Sequence, residues 1–373
     1  MNQPSILYGV QGTGNGHISR ARLMASEFAR LDLSVDYLFS GRPQAAYFDM
    51  EEFASRRFET GLSFKTHRGR IRKLQTLTNS KLPSCAREIM GLRTDRYKLV
   101  ISDFEPTSAW AARLRGTPTL ALGHQYALTK RAPMPQGDLF AKWIARHFTP
   151  ANQRIGFHWH PYDSLTLPPM IDTTLTPISN SQSFTLVYLP FEELQETLTL
   201  LQQLRSEHFV VYSPDVTRET QSRNVSIYPL SKNGFRHHLQ RCTRVICNTG
   251  FELIAESLHL GKPVLTKPLA GQFEQVANAM ALKELQLATI TPQISVLGLD
   301  KFIASTETRS RIIYPNVARE LAEFCLHQAD GTLSADDSGE ALASLAQRLW
   351  SQLDQSTGAD LRQAGQPPAL AAA

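Results

Sequence analysis

Residues 248–279 read NTGFELIAESLHLGKPVLTKPLAGQFEQVANA, and their order decides how the rest of the chain is read. The short apolar run at 244–247 is expected to be a strand, and Thr249-Gly250 then opens a helix through Leu260. Unpaired backbone N–H groups and the positive end of the helix dipole therefore sit where a strand ends. That is an anion site. Glu252 and Glu256 lie one turn apart on one face, so a carboxylate there can accept bonds from a vicinal diol such as a ribose. Gly261 stops the helix, Lys262-Pro263 restarts the chain, and 264–266 read as the next strand. The loop through Gly271 leads into a helix carrying Glu274, Gln275 and Asn278, whose first turn faces the same strand edge. Taken singly, these are ordinary caps and turns of an αβα unit; the joint order carries the information.

The N-terminus supplies a matching half. Residues 6–10 form an apolar strand, followed by Gln11-Gly12-Thr13-Gly14-Asn15-Gly16-His17 and a helix expected from Ile18 to about Leu31. Gly12, Gly14 and Gly16 let the backbone pass close to a ligand at the helix start. The dinucleotide fingerprint is absent, because His17 stands where its third glycine belongs and the strand at 34–40 ends without an acidic residue. The Gly-Lys-Ser/Thr ending of a P-loop is absent too.

The C-terminal stretch resembles the donor half of GT-B glycosyltransferases, most closely the MurG-like inverting enzymes that use nucleotide-diphosphate sugars. The matching elements are Thr249-Gly250, Glu256, Gly261-Lys262-Pro263 and Gln275-Val276-Ala277-Asn278-Ala279. The resemblance implies an α/β fold of two Rossmann-like domains facing each other across a cleft. It implies that Gly250 gives its backbone to the diphosphate, Glu256 holds the ribose, and Glu274 and Gln275 touch the sugar. It places the Gly12–His17 loop under the sugar with His17 toward the acceptor, and the nucleobase against the loop at 229–235. Where such enzymes often carry two glutamines, this chain has Glu274-Gln275, which leaves the donor sugar open.

Further buried strands are expected at 99–102 and 119–122, with a helix at 107–114 between them. Asp103 and the His124-Gln125 pair follow these strands, at the edge where open α/β sheets bind ligands. Asp103 either caps the next helix, the commoner role, or orients His17 or serves as the base itself. His124 and Gln125 are candidates to contact acceptor hydroxyls. Prolines between 150 and 177 and the polar run 179–183 mark a domain boundary. The expected division is 1–165 for the acceptor domain and 180–335 for the donor domain, then a helix over 336–354 crossing back to the first domain and a frayed tail from 355 to 373.

At 373 residues the chain is about twice an average domain. It shows neither a signal pattern nor an apolar run of about 18 residues, so a cytoplasmic location is expected. Cys85, Cys242, Cys247 and Cys325 have no Cys-x-x-Cys spacing and read as buried thiols. The net charge is +5, with Arg56, Arg57, Lys65, His67, Arg68, Arg70, Arg72, Lys73, Lys81 and Arg87 crowded together. This cluster is either a solvated face or a contact with anionic lipid headgroups or a phosphorylated acceptor; the lipid contact would allow peripheral membrane attachment. Nucleic acid is a poorer partner, because stacking aromatics are not interleaved with the charges. His158-Trp159-His160 and His237-His238 lack the accompanying ligands of a zinc site, so no metal is expected.

These features together point to inverting transfer of a hexose or N-acetylhexosamine, UDP-linked by preference, to a hydroxyl acceptor that a lipid could carry. The nucleotide-diphosphate sugar is a co-substrate and no separate cofactor is expected. His17 would act as general base with Asp103, and the helix after Gly250 would take the departing diphosphate's charge in place of a metal. Glu252 and Glu256 are four positions apart, not the eight typical of the retaining branch. The rivals are a nucleotide-sugar 2-epimerase of the same fold and a non-catalytic nucleotide-sugar-binding protein.

Overall fold

The computed structural model of the protein describes residues 5–61, 66–67, 70–71, 82–129, 132–135, 147–179, 183–305, 310–334 and 336–357. Five of the basic-cluster residues, Lys65, Arg68, Arg72, Lys73 and Lys81, lie outside them, as does the end of the tail from residue 358.

The N-terminal half forms strands β1 (Ile6–Gln11), β2 (Val35–Ser40), β3 (Ser55–Phe58), a small β4 (Thr66–His67) to β5 (Arg70–Ile71) hairpin, β6 (Leu99–Asp103), β7 (Thr119–Leu122), β8 (Gln153–Phe157) and β9 (Thr166–Leu167). Seven of them make one sheet in the order β3-β2-β1-β6-β7-β8-β9, parallel throughout. All six residues of β1 are buried, as expected of a central strand with both faces covered. The strand order reverses between β1 and β6, and the crevice outside their C-terminal ends is the binding edge of such a sheet. Helices α1 (Asn15–Arg30), α2 (Leu82–Gly91) and α3 (Pro106–Arg115) accompany this sheet.

The second half repeats the plan with β10 (Thr185–Tyr188), β11 (Phe209–Tyr212), β12 (Thr220–Ser222), β13 (Val225–Tyr228), β14 (Arg244–Asn248), β15 (Val264–Lys267) and β16 (Thr289–Ile290). The order is β12-β13-β11-β10-β14-β15-β16, with only the edge strand β12 antiparallel. Its helices are α4 (Leu194–Leu201), α5 (Lys232–Arg241), α6 (Glu252–His259), α7 (Phe273–Glu284) and α8 (Val296–Ala304). Two further helices, α9 (Val317–Asp330) and α10 (Ser338–Thr357), end the described chain. The α10 residue Trp350 is buried and its Nε1 donates to Thr166 O at 2.7 Å, which fixes this helix on β9 of the first sheet.

Two expectations change. The proline-bearing stretch after residue 150 carries β8 and β9, so the first sheet extends to Leu167. The helix expected from Ile18 begins at Asn15, so Gly16 and His17 belong to its first turn. One apolar cluster runs from β1 through Phe157, Trp159 and Met170 to Phe184, Phe251 and Trp350, so the two halves share a core at their junction. All four cysteines are buried and unpaired.

Candidate active site

The C-terminal edges of the two sheets face each other, and polar side chains meet between them. On the first side, α1 starts at the end of β1, with Gly14 in extended conformation as its N-cap and no side-chain cap. His17 is thereby held in the first turn. Its Nδ1 lies 2.7 Å from Asp103 Oδ1, at the end of β6. Asp103 is wholly buried and also accepts from Arg20, at 3.0 Å from Nε and 2.6 Å from Nη2. Burial alone would raise the Asp103 carboxyl, but the Arg20 and His17 contacts outweigh it and hold Asp103 below the usual carboxylate range. A carboxylate accepts only, so the hydrogen of this contact sits on His17 Nδ1, and Nε2 is the ring nitrogen turned away from Asp103.

Asp103 is not the cap of the following helix. Glu105 caps it, accepting from Thr107 N at 2.8 Å and Ser108 N at 2.6 Å. Capping by Glu105 leaves Asp103 to the histidine. Arg20 was missed in the sequence, although its spacing of three from His17 puts both on one face of a helix.

The glycines of the first loop differ in use. A Cβ on Gly12 would lie 2.1 Å from the Tyr47 hydroxyl, and one on Gly16 would lie 2.2 Å from Glu252 Oε2 of the opposite domain. Gly14 has open space around it. Only at Gly16 does the missing side chain admit a group from across the cleft.

On the second side, Thr249 still belongs to the sheet: its N donates to Lys267 O at 3.2 Å and its hydroxyl accepts from Thr266 at 2.9 Å. Gly250 turns the chain with open space on its Cβ side, and α6 begins two residues later than Gly250, at Glu252. No side chain caps α6, so its first backbone N–H groups are available to an anion.

Several contacts bridge the cleft. Arg20 Nη1 pairs with Glu252. Gln125 Nε2 donates to Glu274 Oε2 at 3.0 Å. Buried His124 donates from Nδ1 to Phe157 O at 2.6 Å, and its Nε2 meets the side-chain amide of Asn278, which donates to Thr249 O at 3.1 Å. Burial holds His124 below the usual imidazole range. Its ring stacks on Phe251, with centroids 4.1 Å apart. Asn15 Nδ2 donates to Tyr188 OH at 3.0 Å, and Lys232 N donates to Asp49 Oδ2 at 2.8 Å.

His17, Asp103, His124, Gln125, Glu274 and Asn278 thus converge at one place, below the start of α6. Gln275 is engaged with its own loop, its buried side chain accepting from Leu269 N at 2.8 Å. Glu256 stands apart, on the same helix as Glu252 but beside Asp172 and Arg236. Burial, with Asp172 adding to it, pushes its carboxyl up to about 7, and among the described residues no donor satisfies it. Of the stretch expected as a loop at 229–235, only 229–231 lie outside helix: Ser231 caps α5, and Phe235, within that helix, packs edge-on against Tyr188. Among the described residues no group of three or more His, Cys, Asp or Glu side chains is placed to hold a metal, and no helix is long and apolar enough to cross a membrane.

Two parallel sheets of this order, with ligand edges opposed across a cleft, define the GT-B fold of glycosyltransferases. The same arrangement appears in the glycosyltransferase SnogD from Streptomyces nogalater, 14% identical, with 91% of this chain and 99% of that one covered at a TM-score of 0.52. It appears in the kitacinnamycin glycotransferase, 13% identical, with 97% and 98% covered at 0.56. Medicago truncatula UGT71G1, solved with UDP-glucose, is 13% identical, with 92% and 98% covered at 0.53. At these identities the likeness is one of fold. A search of curated proteins by sequence finds no match. The family model described as glycosyl transferase family 1 matches residues 4–306, and the chain belongs to that family. It is a glycosyltransferase.

Proposed function

We propose that the protein transfers a hexose or N-acetylhexosamine from a nucleotide-diphosphate sugar, UDP-linked by preference, to a hydroxyl acceptor with inversion and without a metal. The observation that carries this reading is the His17–Asp103 pair lying opposite the uncapped start of α6. An acceptor hydroxyl approaching His17 Nε2 gives up its proton there as its oxygen attacks the anomeric carbon. The sugar–phosphate bond breaks on the far side, and the charge that develops on the diphosphate falls on the first N–H groups of α6 and the Gly250 backbone. Attack and departure on opposite faces invert the anomeric centre. Asp103 keeps the proton of His17 on Nδ1, so that Nε2 remains the base. Glu256, with no donor among the described residues, accepts from the ribose diol. Glu274 and Gln125, already bonded to each other, Asn278 and His124 line the sugar and acceptor region.

The test is calorimetric titration of a panel of nucleotide-diphosphate sugars into wild type and Glu256→Ala, followed by UDP release from any donor that binds. One donor should bind and weaken by at least tenfold in Glu256→Ala. His17→Ala should bind that donor normally and release its nucleotide about 10²- to 10⁴-fold more slowly. If every donor in the panel fails to bind, or His17→Ala turns over as wild type does, the proposal falls.

A further inference from the structure

Arg20 has no part in the chemistry just described, yet it is 2% exposed and its guanidinium is aimed in three directions. Nε and Nη2 hold the two oxygens of Asp103, and Nη1 reaches Glu252 on the opposite domain. Nη2 also lies 2.8 Å from His17 Nδ1. Both of those nitrogens direct a hydrogen at Asp103 Oδ1, so this is a contact between two donors sharing one acceptor. A fixed cation that close opposes a second positive charge on the imidazole.

The groups around this centre come from every element packed on it. Besides His17 and Arg20 from α1, they are Asp103 from β6, Glu252 from α6, Glu274 from α7 acting on Arg20 through space, Tyr8 from β1, and buried His124 after β7, which feels both Arg20 and Glu274 and is held below the usual imidazole range by burial. The Tyr8 hydroxyl lies 3.5 Å from Asp103 Oδ2 and burial keeps it protonated, so it adds no charge. Without Arg20, the charge facing His17 would be the Asp103 carboxylate with more distant acidic groups behind it. That arrangement favours an imidazolium, which cannot accept a proton.

We infer that Arg20 is the positioning residue of the His17–Asp103 pair: it fixes both oxygens of the carboxylate and balances its charge beside His17, and its pairing with Glu252 ties this arrangement to the opposite domain. The inference rests on His17 being the base. Gly16 belongs to the same device, because a side chain there would occupy the space of the Glu252 carboxylate.

The test follows the His17 imidazole by 15N-resolved NMR against pH in wild type, Arg20→Lys, Arg20→Met and Glu252→Gln, with assignment from His17→Gln. UDP release from UDP-glucose and UDP-N-acetylglucosamine is measured in parallel. In Arg20→Met the His17 titration and the acid limb of UDP release both move to higher pH by about one unit or more, and kcat falls more than KM rises. Arg20→Lys, which keeps the charge, restores most of that shift. Glu252→Gln changes a half-buried residue and tests the same point if Arg20→Met fails to fold: unmasking the Arg20 charge moves the His17 titration to lower pH. A His17 titration that stays in place in Glu252→Gln and in every folded Arg20 variant overturns the inference, whatever the turnover. If the titration moves as stated while no variant releases UDP, charge balancing by Arg20 stands and the base or donor assignment falls instead.

Discussion

Glu256 shows how a single side chain records the burial and charge around it. Its carboxyl is raised from 4.5 to about 7 by burial and by Asp172, with Arg236 opposing. Between those values the folded protein holds a proton that the unfolded chain releases, so the stability linked to Glu256 is full below the lower value and lost as pH rises through the upper. Glu256→Gln removes that loss. Its melting temperature should gain on wild type from about pH 5 to about pH 8, as thermal scans at a series of pH values would read. Asp103 behaves in the opposite sense. Its folded carboxyl is depressed, so its contribution is present above the ordinary carboxylate value and disappears as pH falls through the folded one. Asp103→Asn should therefore cost about 3–5 kcal/mol in urea unfolding at neutral pH, leaving Arg20 buried beside a neutral amide. The deficit should shrink below about pH 4.

At the scale of elements, α3 shows what a cap does for a neighbouring site. Glu105 accepts from two backbone N–H groups and from Ser40 Oγ at 2.7 Å, entirely out of solvent. Glu105→Ala should destabilise the fold by about 2 kcal/mol from the cap. The buried Ser40 hydroxyl, left with only the longer 3.3 Å bond to Gln11 Oε1, adds to that loss in the same urea measurement. The sequence reading gives capping to Asp103 as its commoner role and does not weigh Glu105, which is the cap. That choice follows from chain direction, since Phe104 has φ +53 and turns Asp103 and Glu105 to different sides. The strands β1, β6 and β7 were legible as apolar runs because both their faces are covered. β8 and β9 were not, being five and two residues long amid prolines. Gly156 in β8 is set by contact rather than by pattern: a Cβ there would lie 2.5 Å from Ala127 N.

For the molecule as a whole, the shared apolar cluster and the return of α10 tie the two sheets together at one end, while the cleft is closed at the other by polar pairs. Trp350→Ala should cost about 3–5 kcal/mol through the cavity left on β9. Calorimetry should show a single earlier transition, because the core it damages belongs to both halves. What the sequence by itself determined was local: the glycine-bearing turns after β1 and β14, the histidine and carboxylates set beside them, and the order of strand and helix that makes each half Rossmann-like. These are written in backbone conformation and hydrophobic period, which neighbouring residues suffice to specify. Tertiary structure decided which carboxylate caps and which serves the histidine, and it brought Arg20, from one turn along α1, between Asp103 and Glu252. It also separated Glu256 from Glu252, one turn apart on the same helix. Arg20 and Asp103 meet only when α1 packs beside β6, Arg20 and Glu252 only when the two sheet edges come together, and burial then sets what each pair is worth; none of this is specified by neighbouring residues alone.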